Sequence, residues 1–403
     1  MSAELVAADA LVLDGDAAPA PGWVAIEDGR VTDTGVGTPP RAPDRSAAVV
    51  VPGFVDLHCH GGGGDAFGGG ADEAARVAAF HAAHGTTTLV ASLVTLAPRP
   101  LARAVHALAP LVADGVLAGI HLEGPWLAAD RCGAHDPALL RDPDPAELDP
   151  LLATGAIAMA TIAPELPGAL DALAAVADAG ALAAVGHTAA GYEQTRRALD
   201  AGARVGTHLF NAMPGLHHRD PGPAAALLGD PRATVELITD GLHVHPALWS
   251  LVERTAPGRV VAVTDAMAAA GMSDGGYRLG SLDVEVTGGE ARLADGTLAG
   301  STATADVLFR RLVAESAASA GSAAWSPVAA ASAGSRPDAL ARAVAWTSTT
   351  PARLLGHHDV GHLRPGARAD LVLLDRDLRV GGVLRRGTPP RTAAPPEPAP
   401  TER

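Results

Sequence analysis

His58 and His60 close a predicted strand, VPGFVDLHCH, with a His-x-His pair. Residues two apart on a strand share a face, so the two imidazoles can hold one metal ion while Cys59 points the other way. Four glycines, Gly61 to Gly64, follow at once and let the backbone turn sharply. Taken alone the pair is a weak signal, because two histidines packed at a strand end would read the same. It strengthens along the chain. Glu123 falls in HLEGP, His187 in VGHT, His208 in THLFNAM and Asp265 in VTDAM, each interrupting an apolar strand-like run. Burying such a group is costly unless it is paired or metal-bound. Four histidines and two carboxylates at equivalent strand ends are hard to assign to packing.

Imidazole and carboxylate without a thiolate cluster suit Zn2+, Fe2+, Co2+ or Mn2+. Glu123, His187 and His208 make a three-ligand set that leaves a position open for water, as catalytic zinc requires. An ion there brings the pKa of water close to neutral. Asp265 fits the carboxylate that takes a proton from that water and returns it to a leaving group. A further metal ligand or a strand-end cap is its alternative.

The elements that must position these residues are legible as alternating units. GFVDLHCH, GTTTLVAS, LAGIHLEG, AIAMATIAPE, LAAVGHT, RVGTHLFNAM, ATVELITDGLHV and RVVAVTDAM read as eight strands, separated by alanine-rich helical stretches such as DEAARVAAFHAAH. The pattern predicts an α/β fold, a (β/α)8 TIM-type barrel, with the polar residues at the strand ends where such barrels build active sites. More helix is expected after Met267. Residues 1–50 and 360–386 read as short strands with Asp-Gly turns, predicting a small β-sandwich-like accessory domain formed by the two ends of the chain. The barrel is then assigned to 51–359. Within it, 314–336 is a low-complexity Ala/Ser insertion, and 387–403 is a proline-rich tail expected to be disordered.

Composition removes several function classes. The 30 basic residues are all arginines, so a Schiff base, a P-loop lysine or a lysine carbamate bridging two metals is excluded. A net charge of -15 argues against a nucleic-acid partner. No apolar run reaches the roughly 18 residues of a membrane span, and the N-terminus does not read as a signal peptide. Two cysteines, Cys59 and Cys132, give no disulfide framework, so a cytoplasmic setting is expected.

The chain resembles the amidohydrolase superfamily and, within it, the N-acetylglucosamine-6-phosphate deacetylases. The resemblance runs from about Val51 to Leu374, through PGFVDLHCHGGGG, HLEGPWLAADRCGAHDP, GHTAAGYEQ, THLFNAMPGLHHRDPG, ITDGLHVHP, VTDAMAAAG, DGTLAGSTAT and RPGARADLVLLD. It implies metal-dependent release of acetate from an amino-sugar phosphate, in amino-sugar catabolism and cell-wall recycling, by a homodimer. It implies Glu123, His187 and His208 as ligands of the main metal, zinc first among the candidates, with a second ion held partly by His58 and His60. Asp265 becomes the general base and acid, and His135 in GAHDP the group that polarises the acetamide carbonyl. Ala134, Asn211, Ala212 and Leu298 to Gly300, Ala299 included, are implied at the sugar, and Arg219 with His243 at the 6-phosphate. A guanidinium fork suits a phosphate. Other readings are a cyclic-amide hydrolase or deaminase, which would need the missing lysine, and a catalytically silent barrel, which would be expected to lose ligands. Cys132 is a lid residue, a transient ligand or an ordinary loop thiol. Trp126 is the one tryptophan placed to line the site.

Overall fold

The computed structural model describes residues 3–319 and 337–390. In chain order the strands are β1 (Glu4–Leu11), β2 (Ala20–Glu27), β3 (Arg30–Val36), β4 (Arg45–Pro52), β5 (Phe54–Asp56), β6 (Gly61–Gly62), β7 (Asp65–Ala66), β8 (Thr86–Leu93), β9 (Gly119–Glu123) and β10 (Ile157–Ile162). They continue with β11 (Leu182–Val185), β12 (Val205–Gly206), β13 (Thr234–Ile238), β14 (Val260–Val263), β15 (Gly275–Leu279), β16 (Leu282–Thr287), β17 (Glu290–Arg292), β18 (Leu371–Leu374) and β19 (Val380–Leu384).

Eight of these strands pair in the order β14-β13-β12-β11-β10-β9-β8-β5, all parallel where paired. They are the eight strands expected from the sequence. Their residues are almost all buried, and β8 (TTTLVASL) is buried along its whole length, as strands covered on both faces must be. The barrel closes between its first and last strands by side chain and backbone together. The Asp265 N–H donates to the His58 carbonyl at 2.8 Å, and Cys59 bridges Ala266 in parallel register. Asp56 on β5 accepts the Thr264 hydroxyl at 2.5 Å and its N–H at 3.2 Å. Even so, burial holds the Asp56 carboxyl up at about 6, against the opposing pull of those donors. The crossover helices present one apolar stripe inward. In Ala71–Ala83 the buried residues Ala74, Val77, Ala78, His81 and Ala82 follow the helical repeat.

The two chain ends meet in one six-stranded sheet, ordered β19-β18-β4-β1-β2-β3. Alternation assigns its faces. Val49, Val51, Val372 and Leu374 point into the barrel's core, while Val50, Leu371 and Leu373 join Val6, Val24, Ile26 and Leu363 on the other side. Both faces are thereby covered.

After Met267 the expected helices are present, at Ala305–Ser319, Pro337–Val344 and Thr350–Leu354, but a sheet not expected from the sequence precedes them. A three-stranded antiparallel sheet, β15-β16-β17, follows the last barrel strand. Its middle strand LDVEVT alternates buried and exposed residues. Val284, Val286 and Ala291 pack with Met267, Leu279, Ala299 and Ala134 into a small separate core. Residues 314–319 complete the helix Ala305–Ser319, and another helix begins at Pro337. The rest of the 314–336 stretch and the tail beyond 390 lie outside the described residues. No helix among the described residues is long and apolar enough to cross a membrane.

Candidate active site

Glu123, the last residue of β9, is the point on which the site converges. Its two oxygens lie 2.9 Å from His208 Nε2, 3.1 Å from His187 Nε2, 3.0 Å from His60 Nε2, 3.2 Å from His135 Nε2 and 3.4 Å from His58 Nε2. Asp265 Oδ1 stands 3.2 Å from His60 Nε2 and 3.5 Å from His58 Nε2. All these side chains are buried or nearly so. The barrel forces this meeting, since five strand ends, joined by the loop that carries His135, point into one small ring.

The backbone partners fix which ring nitrogens face inward. His60 donates its Nδ1–H to the Ser92 carbonyl at 3.2 Å, and His187 donates to the Arg131 carbonyl at 2.9 Å. The remaining Nε2 lone pairs then face Glu123 oxygens at about hydrogen-bond distance, and His187 Nε2 lies 3.0 Å from His208 Nε2. Lone pairs pressed together this way repel unless a cation sits among them. Protons are one solution. Burial opposes charge on His60, yet the carboxylates of Asp265 and Glu123 outweigh it and hold the imidazole up at about 9. His58 is likewise held well above its ordinary value against burial, by Glu123 and Asp265. A divalent ion is the other solution, and the donor set fits one: imidazole and carboxylate, with second partners that orient each ring. Two overlapping groups could hold an ion, His58, His60 and Glu123, and Glu123, His135 and His187.

His135 differs from the other rings. Thr95 donates its backbone N–H to His135 Nδ1 at 3.2 Å, with its hydroxyl at 2.8 Å. Nδ1 is therefore an acceptor and Nε2 carries the hydrogen, aimed at the centre of the site. Burial depresses this imidazole to about 4, against the pull of Glu123. It is a neutral donor at physiological pH. Asp265 is the reverse case: burial would raise it, but His58 and His60 hold it down at about 2, as a carboxylate able to receive a proton.

These residues open onto a cavity of about 250 Å3, whose wall includes Ala134, Asn211, Ala212, His243, Leu298 and Gly300. Gly300 has φ +69°, and a Cβ there would stand 2.9 Å from the Asp265 carbonyl oxygen, so the position demands glycine. Three expected site residues fall elsewhere. Ala299, fully buried, turns its side chain into the core beneath β15–β17, because alternate residues face opposite sides. Arg219 lies on the exposed loop 215–220, where its guanidinium meets His218 at 2.7 Å instead of lining the cavity with His243. Trp126 is wholly buried in the barrel core. Cys132 is half-buried, next to the Arg131 carbonyl that orients His187.

Two carboxylates beyond the expected set also belong here. Glu236, midway along β13 and fully buried, lies 3.1 Å from His58 Nδ1 and accepts the His208 backbone N–H at 3.1 Å. Asp240, just past the same strand, accepts from His243 Nδ1 at 2.7 Å. The string TVELITDGLH carried the signal, a lone glutamate inside an apolar run and an aspartate at a strand end.

Comparison with known proteins agrees with this geometry. The amidohydrolase family model matches residues 49–396. The chain is 37% identical to N-acetylgalactosamine-6-phosphate deacetylase of Escherichia coli O157:H7, over 91% of this chain and 95% of that one. It is 34% identical to N-acetylglucosamine-6-phosphate deacetylase of Vibrio furnissii, over 82% and 80%. It superimposes with a TM-score of 0.89 and 50% identity on a Mycobacterium smegmatis N-acetyl-D-glucosamine-6-phosphate deacetylase mutant, solved in complex with N-acetyl-D-glucosamine-6-phosphate, covering 96% of this chain and 99% of that one.

Proposed function

The chain belongs to the amidohydrolase family, and from that premise we propose that it hydrolyses N-acetyl-D-glucosamine 6-phosphate to D-glucosamine 6-phosphate and acetate. The observation that carries this reading is the convergence of five imidazoles on Glu123, with Asp265 beside them, at the foot of a sugar-sized cavity. Likeness to the Mycobacterium smegmatis enzyme at 50% identity supports the gluco epimer over the galacto one.

Glu123, His187 and His208 would hold the main divalent ion, Zn2+ before Fe2+, Co2+ or Mn2+, and His58 and His60 would help hold a second. When bound, such an ion polarises an acyl carbonyl and acidifies water. The side chains do the rest. His135, kept neutral and oriented by Thr95, donates its Nε2–H to the acetyl oxygen. Asp265 accepts a proton as water adds to the acetyl carbon. The tetrahedral intermediate collapses with cleavage of the C–N bond, and Asp265 passes that proton to the departing amine. Asn211, Ala212, Leu298 and Gly300 face the sugar, and His243 faces its anionic end. The family resemblance further supports a homodimer serving amino-sugar catabolism and cell-wall recycling, and the sparse cysteines fit a cytoplasmic setting.

Acetate release from N-acetylglucosamine and N-acetylgalactosamine, each with and without the 6-phosphate, tests the reading. N-acetylglucosamine 6-phosphate should have the highest kcat/KM of the four. Preference for the galacto 6-phosphate would move the assignment to the other epimer, and no acetate from any of them would overturn it.

A further inference from the structure

The cavity wall holds one basic side chain outside the Glu123 cluster, and that is His243. Its surroundings are built rather than incidental. Asp240 receives four hydrogen bonds. Its Oδ2 takes the Nδ1–H of His243 at 2.7 Å and the Ser301 hydroxyl at 3.0 Å; its Oδ1 takes the backbone N–H of Leu242 at 2.9 Å and of His243 at 3.0 Å. Both partners are buried, with side-chain exposures of 6% for His243 and 4% for Asp240. A carboxylate with every lone pair engaged stays charged and holds its ring still. With Nδ1 committed to Asp240, only Nε2 of His243 is left to face the cavity.

Ser301 extends the connection. Its N–H donates to the Asp265 carbonyl at 2.8 Å, and its own carbonyl receives the Met267 N–H at 2.9 Å. It directly follows Gly300 of the sugar wall. One carboxylate thus ties together the cationic end of the cavity, the sugar wall and the backbone of the proton-transferring aspartate.

We propose that Asp240 is a positioning residue that keeps His243 an oriented imidazolium, a fixed receptor for the phosphate of the substrate, and locks that receptor to Asp265 through Ser301. This rests on the proposed reading of the site as one for an amino-sugar phosphate. The charged groups acting on His243 agree. Burial opposes its charge, Asp240 and Asp265 favour it, and the more distant Arg292 opposes it, with a net rise above the ordinary value. The phosphate then meets a cation across the neutral range.

KM and kcat for N-acetylglucosamine 6-phosphate, measured from pH 6 to 8.5 on metal-loaded wild type, Asp240→Asn and Asp240→Glu, test this. Dividing variant KM by wild-type KM at each pH removes the ionisation of the phosphate itself. For Asp240→Asn the ratio should climb by about tenfold or more as pH passes the ordinary histidine value, roughly 6.5, with KM changing far more than kcat. Asp240→Glu restores the charge, so its ratio should be flat with pH even where KM is raised. A flat ratio for Asp240→Asn, or equal losses in KM and kcat, would overturn the proposal. So would a pH-dependent ratio for Asp240→Glu, which also decides the matter if Asp240→Asn does not fold. If instead the wild type shows no preference for the phosphorylated sugar, the reading of the substrate fails, and that result is distinct from the others.

Discussion

The catalytic end of the barrel and the six-stranded accessory sheet use the same rare backbone conformation for opposite reasons. Among the described residues, eight other than glycine have positive φ. Three, Asp28, Leu378 and Arg386, sit in tight turns joining or ending strands of the accessory sheet, where the reversal of the chain itself calls for the conformation. The other five, His187, His208, Phe210, Ala212 and Asp265, crowd the active site. There the backbone is bent so that side chains leave the strand ends toward one point. Such residues cost on the order of 1–3 kcal/mol each and persist only when the surroundings impose them. The sheet is thus a region where local preference and fold agree. The site is where they conflict, and function is what the conflict supports.

That contrast can be broken from either side. Asp265→Asn keeps the shape of the strained residue and removes its proton acceptor, so kcat should fall by roughly 10²–10⁴ while the ion content stays near wild type. Loss of the ion in that variant would make Asp265 a ligand first. In the sheet the expectation is inverted. Leu371 is fully buried in the accessory core, and Leu371→Ala should cost about 2–5 kcal/mol of stability by denaturant titration, with kcat per folded molecule unchanged. A matching fall in kcat would mean that the sheet shapes the site. Glu236→Gln sharpens the comparison inside the barrel. It weakens the partner of His58 Nδ1 without touching the cavity, so metal affinity should drop by about 10–100-fold. Unchanged affinity by competition titration would reduce Glu236 to a packing residue.

What could be read from the sequence follows the same division. All eight barrel strands were legible because long apolar runs bounded by helix-forming alanine have few other uses. The proposed ligands stood out because each breaks such a run at its end. Glu236 carried only half of that signal: a carboxylate inside an apolar run stands out in the sequence, but its partner His58, 178 residues away, is set by the fold. The place of Arg219 could not be read either. Its motif fixes a residue type, whereas its position depends on a solvated loop that no strand constrains. The three-stranded sheet after Met267 did have a local signal in LDVEVT, masked by the alanine-rich segments around it. The orientation of His135 by the Thr95 backbone lies beyond any side-chain pattern.

If Glu123 gathers the catalytic ion, the ion and the deacetylation stand or fall together. Metal content by elemental analysis and acetate release from N-acetylglucosamine 6-phosphate, measured on the same preparations of wild type and Glu123→Gln, test it most directly. Glu123→Gln should fold, purify without its main ion and release no acetate above background. A variant that keeps its full ion content, or that deacetylates at the wild-type rate, would contradict it.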